Sequence, residues 1–380
     1  MKKIPFILLL VLLSGCGSSS SDDSIDLTKR DNISITDFID HIDVVQLETN
    51  DQCLLSNIRQ SIIYEDNFYI LDSKQSLFCF SKTGEFKYKI SSVGRGPEEY
   101  IYINHFNIDP FNNRLMLVTT SGSILYYNLD GNFIKKETLP SECRAYNEVY
   151  AINKDTLLFI SLSYFSNIYY SHADNKIIKT MFPSEDSKFF NATSRTYQYK
   201  GSVYFNSLNQ NEVYNVSAAD SSIAYKWNFN EPDYTEKQIT ELNSYVEKRR
   251  VEINEKILSG DRTNIKFLTV DEIIGNGKFV NYHIINSQET SRYRLAWIYV
   301  EGGSILVCCD KNEKKYFVIT ETTEGIIFQP NITDESFIFW NRPNYKTYDS
   351  NLLNDRQMSI INSHDEERDN PFLVVYHLKQ

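Results

Sequence analysis

The sequence predicts an all-β fold, a six-bladed β-propeller with one helical insertion between blades 4 and 5. Three observations predict it. Aromatic residues are abundant, with 26 Tyr and 23 Phe in 380 residues. Short β-rich runs alternate with turn residues, and those runs repeat at a period in the forties. Asn67-Phe68-Tyr69-Ile70-Leu71, Ser76-Leu77-Phe78-Cys79-Phe80 and Lys82-Thr83-Gly84-Glu85-Phe86 have counterparts 46 to 47 residues on. These are Asn113-Arg114-Leu115-Met116-Leu117, Ser123-Ile124-Leu125-Tyr126-Tyr127 and Leu129-Asp130-Gly131-Asn132-Phe133. One small twisted sheet cannot bury both faces alone, whereas sheets stacked in a ring bury theirs against their neighbours.

In chain order, the first element is an export signal over residues 1–15. Lys2 and Lys3 precede an apolar run from Ile4 to Leu13 that is too short to span a bilayer. Leu13-Ser14-Gly15-Cys16 resembles the lipobox read by lipoprotein signal peptidase, which makes Cys16 the lipidation site and the membrane a partner through that lipid. Residues 16–32 then read as a lipidated flexible tether, polar through Gly17 to Asp23. Within it, Ser21-Asp22-Asp23 resembles the acidic signal that sends Bacteroidota lipoproteins to the outer membrane, surface-exposed or periplasm-facing. Asp23-Ser24-Ile25 and Asp155-Thr156-Leu157 resemble the O-glycosylation sequon of the same bacteria.

The propeller is expected over residues 33–380. After the two strong repeats, Asp155 to Phe159 leads to Asn167 to Tyr170, and Gly201 to Phe205 leads to Glu212 to Val216. Equivalent aromatics fall at Phe80, Tyr127, Tyr170 and Tyr214, at intervals of 47, 43 and 44. A helical insertion follows at about 233–259: Thr235 and Gln238 form a capping box, and Ile239, Leu242, Val246, Ile253 and Ile257 fall at near-helical spacing before Gly260. Lys278 to Ile284, Tyr293 to Val300 and Ile305 to Cys309 supply a fifth blade. Phe337 to Trp340 and Phe372 to Leu378 belong to a sixth, whose missing strand comes from Val44-Val45-Gln46-Leu47-Glu48. Such closure pairs the two ends of the chain and leaves no lone edge in the ring.

Composition narrows the partners. The net charge is −11 and the longest basic run is Lys248-Arg249-Arg250, which argues against nucleic acid. Beyond Cys16, an odd number of cysteines remains, without a CxxC pair, and these read as small buried apolar residues.

Several segments together resemble the six-bladed β-propeller lipoproteins of Bacteroidota, related in architecture to NHL-repeat propellers. They are Val45-Gln46-Leu47-Glu48-Thr49, Leu71-Asp72, Thr83-Gly84-Glu85-Phe86, Gly94-Arg95-Gly96-Pro97-Glu98-Glu99-Tyr100 and Asn370-Pro371-Phe372-Leu373-Val374-Val375-Tyr376. The resemblance implies the fold and the envelope location, but no reaction.

Gly94 to Tyr100 is the most motif-like loop. It lacks the Gly-Lys-Ser/Thr ending of a P-loop, and its glycines and proline suit a crossover between blades. Arg95, Glu98, Glu99 and Tyr100 are the candidate ligand-facing residues. Histidines 41, 105, 172, 283, 364 and 377 are scattered, without HxH or HExxH spacing, so no catalytic residue, metal ligand or cofactor is assigned. Asp72, Asp109 and Asp310 read as turn residues at strand ends. The expected function is a lipid-anchored envelope module that binds or scaffolds a glycan, peptide or envelope protein. The alternative is a metal-dependent lactonase- or lyase-like enzyme using the central channel.

Overall fold

The computed structural model describes residues 24–143, 146, 148–160, 167–181, 196–206, 211–217, 221–258, 281–333, 335–341 and 345–380. The signal, Cys16 and the acidic Ser21-Asp22-Asp23 lie outside the described residues. Among those described, β1 (Ile39–Gln46) precedes five consecutive four-stranded antiparallel meanders. Blade 1 holds β2 (Ile58–Tyr64), β3 (Asn67–Asp72), β4 (Leu77–Ser81) and β5 (Phe86–Ile90). Blade 2 holds β6 (Ile103–Asp109), β7 (Arg114–Thr119), β8 (Ser123–Asn128) and β9 (Phe133–Thr138). Blade 3 holds β10 (Glu148–Ala151), β11 (Thr156–Ile160), β12 (Asn167–Ser171) and β13 (Lys176–Met181). Blade 4 holds β14 (Thr196–Tyr199), β15 (Ser202–Asn206), β16 (Glu212–Asn215) and β17 (Ser222–Lys226). Blade 5 holds β18 (Tyr282–Glu289), β19 (Tyr293–Val300), β20 (Gly303–Asp310) and β21 (Lys315–Ile319). Blade 6 is β22 (Ile332–Thr333), β23 (Ser336–Trp340) and β24 (Phe372–Leu378), completed by β1 in the order β1-β24-β23-β22.

The six blades of the predicted fold are therefore present. First strands of neighbouring blades lie against one another, β2 on β6, β6 on β10 and β14 on β18, which puts them at the axis and the fourth strands at the rim. Apolar side chains form six layers, one between each pair of neighbours. Tyr69, Leu71 and Cys79 meet Phe106, Leu115 and Leu117 between blades 1 and 2, for example. The aromatic repeat has a local cause as well. Pairing between third and fourth strands slips by one residue at Cys79/Phe80, Tyr126/Tyr127, Tyr169/Tyr170 and Val213/Tyr214. Each slip is a bulge that bends the rim strand, and it recurs at the positions the period marks.

Ring closure follows the expectation with a shifted boundary. β1 starts at Ile39 rather than Val44 and ends at Gln46, pairing His41 with His377 and Val44 with Val374. Beyond it, Glu48 donates its N–H to the Gly84 carbonyl (2.8 Å), and Leu47 joins the layer between blades 6 and 1. Gly84 is left-handed (φ +89°), and a Cβ there would lie 2.0 Å from the Gln46 carbonyl oxygen. The turn must be glycine because the closing strand passes directly over it.

The segment assigned to the flexible tether is docked from Ser24 onward. Ile25 and Leu27 are buried in the layer between blades 4 and 5, and Ile25 exchanges backbone hydrogen bonds with Asn228 and Asn230. Asp31 pairs with Val318 on the rim strand β21, covering that edge. A short helix, α1 (Ile35–Phe38), then buries Ile35 and Phe38 between blades 5 and 6. Alternate apolar residues at Ile25, Leu27, Ile33, Ile35 and Phe38 explain why this stretch packs while its polar neighbours face water.

The insertion α2 (Glu236–Leu258) lies between β17 and β18. That is between the fourth and fifth blades counted from β2, or the fifth and sixth if the blade containing β1 is counted first. Its capping box forms as expected: the Gln238 N–H donates to Thr235 Oγ1, and Gln238 Oε1 accepts from the Thr235 N–H. Leu242 is fully buried. A further helix, α3 (Asp355–Ser363), between β23 and β24 is capped by Asn354 and Gln357 and contacts β1 through Gln357 and the Ile42 carbonyl.

Two carboxylates brace these contacts. Burial alone would raise Glu324, but hydrogen bonds from Ser34 Oγ (2.5 Å) and the Ile35 N–H (3.0 Å) hold it down at about 2. Likewise burial opposes ionisation of Glu137, yet His172 (2.7 Å) and Lys135 (3.2 Å) hold it at about 2. Folded-state values below the ordinary 4.5 contribute stability above pH 4.5, and that stability is lost as pH falls toward 2. The melting temperature should therefore drop most steeply from pH 4.5 to 2. In Glu137→Gln that slope should be shallower; an unchanged slope would contradict the assignment.

Candidate functional site

Several first strands carry polar side chains close to the axis. Gln60 on β2 bridges the Phe106 backbone on β6, donating to its carbonyl (2.8 Å) and accepting from its N–H (3.1 Å). Asn107 on β6, one repeat later, donates to the Val149 carbonyl on β10 (3.0 Å). These amides tie neighbouring innermost strands together, so the ring is held by directional bonds at its centre as well as by apolar layers. Buried Glu148 on β10 accepts from Tyr150 (2.9 Å). On β18, His283, Asn286 and Ser287 are also buried.

His105 sits beside Asn107, with its ring 6.4 Å from that of Tyr150. The residue is half-buried, and its Nε2 is enclosed and has no partner among the described residues. Packing around it pushes the imidazole down to about 4, so it is neutral near pH 7.

The face on which first strands begin carries the loop from β5 to β6 and the loop before β2. Four large apolar side chains are exposed there: Leu54, Val93, Ile101 and Tyr102, the last 41% accessible. Arg59 of β2 reaches across with its guanidinium 4.6 Å from the centre of the Tyr102 ring while donating to the Ile103 carbonyl (2.9 Å). Buried Gln75 accepts from the Ile103 N–H (2.8 Å) and fixes the same backbone. The exposed aromatic ring is thus capped by a guanidinium and carried on backbone held from two sides.

The sequence-predicted loop is part of this face, and its four residues divide into two pairs. Arg95 and Glu98 are exposed. Tyr100 is 2% accessible and donates to the Gln75 carbonyl (2.8 Å), so it anchors the loop from beneath. Glu99 folds back to accept from the Gly96 N–H (2.6 Å), and a Cβ on Gly94 would lie 2.0 Å from its carboxylate. The glycines thus make room for a carboxylate that closes the loop on itself.

Other candidates resolve into structural roles or separate places. Asp72 accepts from Ser56 and the Ser76 N–H, and Asp109 and Asp310 accept from the turns they cap as well as from Arg114 and Arg292. Trp227, Trp297 and Trp340 are buried. Thr156, within the second sequon, is buried in β11. Cys53, Cys79, Cys143 and Cys308 are free and buried, while Cys309 is half-buried. Cys308 and Cys309 point into opposite layers of blade 5. Of the histidines, only His41 and His377 are brought together among the described residues, at the rim rather than the channel. His364 lines a surface pocket with Gln46, Glu48, Gly84, Glu85 and Asp369 at the closing seam. Sequence reasoning missed the Arg59–Tyr102 pair because its members lie on different blades and share no motif.

A family model matches residues 23–377. The chain belongs to the family described as Domain of unknown function (DUF4934). This DUF4934 chain resembles, at 17% identity and a TM-score of 0.67, a crystal structure of a Bacteroides fragilis NCTC 9343 protein named as exported. The match covers 94% of this chain and 99% of that one, and at this identity it shows the fold alone. A DUF4221 family member from Bacteroides vulgatus ATCC 8482 matches at 8% identity over 89% of this chain and 98% of its own, with a TM-score of 0.49. No curated protein matches the sequence. No helix among the described residues is long and apolar enough to cross a membrane.

Proposed function

We propose that this protein is a lipid-anchored propeller of the bacterial envelope that binds a glycan, a peptide or an envelope protein on the face where its first strands begin. The observation that carries this reading is the exposed Tyr102 capped by Arg59, flanked by Ile101, Val93 and the charged loop residues Arg95 and Glu98. Large apolar groups left in water on rigid backbone mark interaction surfaces. Support for the envelope location comes from the lipobox-like Leu13-Ser14-Gly15-Cys16 and from the exported protein that shares the fold. The acidic Ser21-Asp22-Asp23 favours the outer membrane.

The test is binding of the purified chain to envelope glycans and peptides, compared with an Arg59→Ala/Tyr102→Ala variant. Loss of one stacked aromatic and its cation should weaken binding about tenfold or more. Equal binding by the variant would move the site elsewhere. A channel enzyme is the second reading, favoured by His105, Glu148 and Asn286 on innermost strands. Lactone or ester turnover that Glu148→Gln abolishes would select it instead.

A further inference from the structure

We propose that His41, Asp43 and His377 form a divalent transition-metal site of the zinc class across the closing strands, so that a bound ion clasps the two ends of the propeller. One nitrogen from each imidazole and one Asp43 carboxylate oxygen lie within 4.8 Å of one another. Tetrahedral zinc needs such atoms roughly 3.4 Å apart, given bonds of about 2.1 Å. Completing the site requires the side chains to rotate, the stacked rings turning out of parallel so that both nitrogens point at one ion.

Strand pairing supplies the convergence. His41 faces His377 directly across the antiparallel β1–β24 pair, and Asp43 lies two residues along β1 on the same face. A bulge between Ile39 and His41 sets that register, and the two rings stack with centroids 4.1 Å apart.

Each ring already has an outer partner. Ser336 Oγ on β23 contacts His377 Nδ1 (2.9 Å), turning Nε2 toward Asp43 Oδ2 (3.1 Å). Asp40 Oδ2 contacts His41 Nδ1 (2.7 Å). In both rings Nδ1 is held by an oxygen, the arrangement that orients histidine ligands in metal sites, and Nε2 of His377 faces Asp43. Three protein ligands on a solvent-facing edge leave a fourth position for water or for a partner's side chain. This inference is independent of the proposed binding face, which lies on blades 1 and 2.

Because the ligands come from opposite ends of the sequence, the site exists only in the closed ring, and metal must favour that state. The experiment titrates the full chain in detergent with Zn2+ by calorimetry and with Co2+ by visible absorption. The expected result is one ion per chain, a tetrahedral Co2+ spectrum, and a melting temperature raised by about 4 °C in Zn2+ at a hundredfold excess over Kd. His41→Ala, at an exposed position, and His377→Ala should each weaken binding at least a hundredfold and remove the thermal shift. Asp43→Asn should weaken it by about tenfold. His364→Ala, in the separate seam pocket, should change nothing. Zinc binding that persists in both histidine variants, or no thermal shift in the parent protein, would overturn the proposal.

Discussion

Deleting Leu373 to Gln380 should abolish cooperative folding of the entire propeller. Among the described residues β24 is the only strand joining β1 to β23, so its removal detaches β1 and opens two apolar layers together. Leu373, Val374, Val375 and Tyr376 are all buried, and Tyr376 also donates to the Thr347 carbonyl (2.9 Å). Burying four such side chains is worth roughly 1.5–3 kcal/mol each, which together with the lost pairing reaches the whole of a stability of about 5–15 kcal/mol. The truncated chain should show no single thermal transition by circular dichroism. A sharp transition at the parent temperature would mean that β24 is peripheral.

Gly84→Ala should be the most damaging single methyl group among the described turns. The new Cβ would lie 2.0 Å from the Gln46 carbonyl oxygen, which belongs to backbone and cannot swing away. Positive φ adds about 1 kcal/mol, and lifting the closing strand would also break the Glu48-to-Gly84 hydrogen bond. A loss of about 3 kcal/mol or more is expected in chemical denaturation. Gly201→Ala is the control: its φ is also positive, but no atom lies within 4 Å of the added methyl, so only the conformational cost remains. Equal losses at both positions would show that strain alone, rather than seam contact, governs Gly84.

Much of the architecture was legible because repetition is a physical necessity in a ring. Each blade must bend its rim strand at the same place, so Phe80, Tyr127, Tyr170 and Tyr214 fall at nearly constant spacing. Closure was legible because Phe372 to Leu378 is β-rich with no sequential partner for its second edge. The docked strap from Ser24 to Phe38 looks partly like tether in the sequence, since isolated apolar residues such as Ile25 and Leu27 have no period until the grooves that receive them are known. Helix α3 does not stand out in the sequence although Asn354 and Gln357 carry a capping box; with only nine residues, it has too few turns for its periodicity to show.

The site was less legible for a different reason. In a propeller, a functional cluster gathers side chains from blades about 45 residues apart, so no local spacing records it. Arg59 with Tyr102, and His41 with His377, meet only after folding. The loop from Gly94 to Tyr100 stood out in sequence mainly because its own closure, by Glu99 on Gly96 and Tyr100 on Gln75, demands unusual residues. Motif strength there reflects how the loop is built.

The two ends of the chain weld the ring into one cooperative body. Hydrogen exchange of the Val45, Val374 and Leu117 amides tests it most directly. If β1 and β24 close a single ring, Val45 and Val374 should exchange only through global unfolding, at the same free energy as Leu117 in the heart of blade 2. Exchange at Val45 or Val374 several kcal/mol easier than at Leu117 would show a seam that opens by itself, and would contradict the account.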